Sequence, residues 1–96
     1  MKYGFKDVTS EYTGGGIWIY MGQLADGNYF MCSDEAVNVI NADPRETGDD
    51  AYYWKWQIEH TVNMGEEIDL KEFQTEMWDW IKANKPSEFD PEMVWF

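Results

Sequence analysis

Four carboxylates recur late in the chain, Asp69, Glu72, Glu76 and Asp79, at spacings of 3, 4 and 3. On a helix turning about 100° per residue they fall within roughly an 80° arc. Successive carboxylates would lie about 5–6 Å apart, close to the roughly 6–7 Å between neighbouring phosphates of a nucleic-acid strand with an axial rise of about 3.4 Å. A row of this kind suits a site built for phosphates. The plainer reading is a solvated helix face whose first members cap the N-terminus. Like charges at i,i+4 cost only about 0.2–0.5 kcal/mol per pair, so a helix tolerates them without a functional reason.

A second crowd of acids, Asp43, Glu46, Asp49 and Asp50, shares one loop, Glu66 and Glu67 precede the helix, and Glu88, Asp90 and Glu92 alternate in the tail. If several share a face, their field is coherent. The 43–50 loop would hold a hard cation only loosely, and no HExxH, CxxC or EF-hand spacing is present, so neither a metal nor a cofactor is expected. His60 is the only histidine. Beside Glu59 it has the makings of an acid–base pair, but neighbours on a strand point to opposite faces, so it reads as structural. Cys32, the only cysteine, has no adjacent base and reads as a buried thiol. Gly14-Gly15-Gly16 lacks the Lys-Ser/Thr and helix of a phosphate loop, so it reads as a turn. No enzymatic set emerges. Among the aromatics, Trp78 lies about 100° from Trp80 on the helix wheel, at the edge or outside of the apolar stripe. With Trp95 and Phe96 at the chain end it is a candidate partner contact, since aromatic rings are enriched at interface hot spots.

The elements that would position these groups form an α+β fold. A small antiparallel sheet of three to five strands packs against one C-terminal amphipathic helix, in a single domain with residues 86–96 as a tail. Residues 16–24 and 28–33 flank Asp26-Gly27, a hairpin signal. A two-residue loop would pair Leu24 with Tyr29, Gln23 with Phe30, Gly22 with Met31, Met21 with Cys32 and Tyr20 with Ser33. Both faces of this hairpin carry apolar groups, so it is expected at the centre of the sheet. Residues 3–12 add another strand. Residues 36–41 and 52–62 are ambiguous between strand and helix, and are read as strands on β-branched content and period-2 alternation. The helix near 69–84 is the clearest element. Asp69 and Glu72 have capping-box spacing, and Leu70, Phe73, Met77, Trp80 and Ile81 build one apolar stripe. Lys82 and Lys85 oppose the negative dipole end.

Ninety-six residues carry seven Lys or Arg and 19 Asp or Glu, a formal net charge of −12. Such a surface repels nucleic acid and anionic membranes. Disorder is excluded by 44% apolar and 18% aromatic residues. A lone thiol, no apolar leader at residues 1–7 and no long apolar run fit a cytoplasmic protein. In size, acidity and lack of a catalytic motif the chain resembles small inhibitors encoded by phages and mobile elements, the anti-CRISPR proteins and other nucleic-acid mimics. That resemblance is one of class. It implies a non-enzymatic binder that blocks a basic, nucleic-acid-binding surface on a partner enzyme such as a CRISPR effector. The alternatives are an immunity or antitoxin protein capping a basic toxin such as a nuclease, and an accessory subunit of an assembly.

Overall fold

The β-branched and aromatic runs of the first 40 residues form four consecutive strands: β1 (Lys6–Gly14), β2 (Ile17–Gln23), β3 (Tyr29–Cys32) and β4 (Val37–Ile40). A short β5 (Thr61–Asn63) completes the sheet in the order β1-β2-β3-β4-β5, every neighbouring pair antiparallel. A computed structural model describes residues 2–14, 17–46 and 59–88. The helix α1 (Leu70–Asn84) packs on one face of this meander. The fold class is therefore α+β, with the β2–β3 hairpin inside the sheet between β1 and β4.

The hairpin register differs from a two-residue loop. The Leu24 N–H donates to the Asn28 carbonyl at 2.8 Å, and the Gly27 N–H donates to the Leu24 carbonyl at 3.0 Å. Gly27 has φ +90°, and the Asp26 carboxylate accepts the Asn28 N–H at 2.9 Å. The loop is thus three residues, a turn closed by a left-handed glycine. The pairs become Tyr20–Cys32, Met21–Met31, Gly22–Phe30 and Gln23–Tyr29. This slip of one residue turns each β3 side chain to the other face. Phe30 and Cys32 join Tyr20 and Leu24 under α1, while Met21, Met31 and Ile40 form a second buried cluster on the far face.

Residues 37–40 are strand, as the β-branched pattern predicts. Of the strand expected over 52–62, Thr61 and Val62 lie in β5 (Thr61–Asn63), whereas residues 59–60 are helical. Its remainder, residues 52–58, lies outside the described residues. In β1 a bulge shifts the register between Lys6 and Thr9, with Asp7 at φ +51°. The bulge is tied down from two directions: Arg45 Nη1 donates to the Asp7 carbonyl at 2.9 Å and Lys85 Nζ donates to the Val8 carbonyl at 2.8 Å.

Asp69 caps α1 by accepting the Glu72 N–H at 3.2 Å, and the Lys85 N–H closes the other end on the Ile81 carbonyl at 2.7 Å. Phe73, Met77 and Ile81 are buried, with Leu70 and Trp80 partly so. Phe73 is the hub of an aromatic cluster, its ring 4.8–5.2 Å from those of Tyr3, Phe5 and Phe30. Each such pair adds about 0.5–1.5 kcal/mol beyond area burial. Trp78 departs from its expected place at the rim. It is only 2% exposed and its ring lies 5.0 Å from that of Tyr20. The sheet is wider than the apolar stripe, so positions flanking the stripe are covered too. Buried Gln74 shows the same, its Nε2 donating to the Ser33 carbonyl at 3.0 Å.

Candidate protein-binding surface

The helical row of carboxylates is real in placement, but its members have separate tasks. Asp69 is the N-cap. Glu72 turns to Lys2, Oε1 to Nζ 3.2 Å, rather than back to the cap, and its hydrogen bond, with its charge, holds the Lys2 ammonium above its ordinary pKa. Glu76 is half-buried and accepts two backbone N–H groups, from Lys2 at 3.0 Å and Tyr3 at 3.1 Å. It pins the N-terminal segment to α1 while Tyr3 packs on Phe73. Asp79 is the exposed member that makes neither a cap nor an ion pair among the described residues. The row is therefore not a free ladder of charges.

The loop acids divide in the same way. Asp43 faces Arg45 through a two-pronged contact, Oδ1 to Nε 2.9 Å and Oδ2 to Nη2 3.1 Å, and also accepts the Arg45 N–H at 2.9 Å. Burial alone would push the Asp43 carboxyl up, but the bonds and charge of Arg45 outweigh it and hold it below the usual range. Asp43 is thus a brace for the 3₁₀ turn Pro44–Glu46, which lies against β3. Glu46 is exposed. Asp49, Asp50 and Trp95 lie outside the described residues. Trp78, buried in the core, presents no ring to a partner.

No family model matches the chain, and no curated protein or solved structure matches it significantly.

His60 sits with Nδ1 2.8 Å from Asn41 Oδ1, and its carbonyl accepts the Asn41 N–H at 2.9 Å. It stitches the end of β4 to the start of β5. Cys32 is buried, and burial pushes its thiol up to about 12 against a smaller opposing hydrogen bond from Gln74. Such a thiol is protonated and unreactive at neutral pH. Among the described residues no group of three or more His, Cys, Asp or Glu is placed to hold a metal ion. No helix among them is long and apolar enough to cross a membrane.

The fold assembles a different acidic surface from residues far apart in sequence. Gly65 adopts φ +87°, and a Cβ there would lie 2.6 Å from the Val37 carbonyl. The turn after β5 is thereby seated against the start of β4. Its N–H is held by Asn63 Oδ1 at 2.6 Å, and the Ile68 N–H returns to the Gly65 carbonyl at 3.2 Å. This places exposed Glu66 and Glu67 at the same end of the sheet as exposed Asp34 and Glu35 of the β3–β4 turn. No Lys or Arg occurs between Lys55 and Lys71. Beside these acids, Val62 and Met64 are 54% and 62% exposed. Sequence reading missed this grouping. The one local signal was Asn63-Met64-Gly65, an Asx-turn pattern closed by glycine.

Proposed function

We propose that the chain is a non-enzymatic acidic protein that occupies a basic, nucleic-acid-binding surface of a partner protein. The observation that carries this reading is uncompensated surface charge. Glu11, Asp34, Glu35, Glu66, Glu67 and Asp79 are all exposed and make no ion pair among the described residues. The acids in the ion pairs seen among the described residues are Glu72, Asp7 and Asp43. The excess is carried outward, where it steers a basic partner and speeds encounter. The surface differs from the helical row first expected, because Glu72 and Glu76 are engaged within the chain. A protein partner is favoured over direct contact with nucleic acid, whose phosphates this charge repels.

The test is capture of basic nucleic-acid enzymes, RNA-guided nucleases and toxin nucleases among them, on the immobilised chain across a NaCl series. Binding that weakens with salt and is displaced by an oligonucleotide supports the proposal. Binding indifferent to both refutes it.

A further inference from the structure

The β5 end of the sheet carries the features of a docking surface and not merely of a charged one. Val62 and Met64 are the most exposed of the large apolar side chains described. They stand two positions apart, Val62 at the register shift of β5 against β4 and Met64 just past the strand. Exposed Glu59 lies before them and exposed Glu66 and Glu67 after them. The support beneath is rigid. Gly65 rests on Val37, Asn63 holds the Gly65 N–H, and His60 and Asn41 join the other end. A backbone held in this way loses little further freedom on binding, which favours affinity.

Both outer strands of the described sheet carry a register shift. At β1 the bulge and two cations, Arg45 and Lys85, occupy the carbonyls of Asp7 and Val8, the kind of device that keeps an edge from pairing with other chains. At β5 two large apolar side chains, Val62 and Met64, stand in solvent. A second copy of this chain is a poor occupant, because two bodies of net charge −12 repel.

We infer that Val62 and Met64 receive an apolar side chain from a lysine- or arginine-bearing segment of the partner protein, with the cations of that segment meeting Glu59, Glu66 and Glu67. This rests on the acidic-binder reading and adds the place and the apolar contact. It gives the surface a desolvated centre inside a charged rim, the arrangement in which a few contacts carry most of the binding energy.

The experiment uses the full chain labelled for amide NMR and two probes of equal length, an oligolysine and a peptide alternating lysine and leucine. The alternating peptide is expected to shift the amides of residues 61–67 and to bind roughly tenfold more tightly than oligolysine. The variant Val62→Ser/Met64→Ser should bring its affinity down to the oligolysine level with an otherwise unchanged spectrum. Equal affinities of the two peptides, or shifts centred on the exposed face of α1 around Asp79, overturn the docking surface and leave the acidic-binder reading standing. Failure of both peptides to bind at low salt overturns both. The wild-type shift map decides the point even if the double variant folds poorly.

Discussion

Glu76→Ala probes the internal use of the acidic row most directly. The substitution removes a carboxylate that accepts the Lys2 and Tyr3 N–H groups at 3.0 and 3.1 Å. A hydrogen bond to a charged group contributes about 1.5–3 kcal/mol. Lys2 is exposed, so its amide regains water on losing Glu76, whereas Tyr3 is half-buried and packs on Phe73. Counting the Tyr3 bond nearly in full and the Lys2 bond hardly at all gives a loss of about 2 kcal/mol. For a domain of this size that lowers the melting temperature by about 8–16 °C. Asp79→Ala is the matched control. It deletes the same charge from the same helix, relieves the same self-repulsion and breaks no ion pair, so it should stay within about 0.5 kcal/mol of the parent. Urea unfolding followed by tryptophan fluorescence measures both, and amide exchange at Tyr3 reports the local latch. Equal stabilities for the two variants would refute the assignment of Glu76 to the N-terminal segment.

Asp43 gives a pH-dependent outcome. Its folded pKa lies below its unfolded one, so its contribution is present above about pH 4 and lost as pH falls through the folded value. Asp43→Asn should therefore be less stable than the parent at neutral pH, with the gap closing in acid, as followed by thermal melts across a pH series. Cys32 should resist a thiol reagent in the folded protein at pH values well below its pKa of about 12 and react promptly in concentrated urea. The melting temperature should rise from low to moderate NaCl as self-repulsion at −12 is screened; a flat response would contradict strong repulsion.

The parts legible in the sequence are those governed by local period and local caps. Asp69, Glu72 and the Phe73–Met77–Ile81 stripe mark α1 because a helix repeats every 3.6 residues and leaves its first amides open. Asp26-Gly27 marks the hairpin, but two-residue and three-residue loops both use that pair. The slip of register, and with it the burial of Phe30 and Cys32 beneath α1, depended on Gly27 closing the longer turn. Trp78 was misplaced because a helical wheel ranks directions and carries no information on the width of the sheet opposite. The partners of Glu76 are backbone amides 73 and 74 residues away, which no side-chain pattern announces. The acidic end of the sheet depends on Gly65 meeting Val37, again a contact between segments that share no periodicity.

The clasp on the β1 bulge also bears on the order of folding. Val8 accepts its cation from Lys85, 77 positions later, and Asp7 accepts from Arg45, 38 positions later. The clasp on the β1 bulge is therefore complete only once the end of α1 is in place. Long-range closure of this kind is slow, since its loop entropy is lost before any contact is gained. During synthesis the bulge would wait, its carbonyls on water, until residue 85 had cleared the ribosome. The last cation to arrive thus secures the first strand.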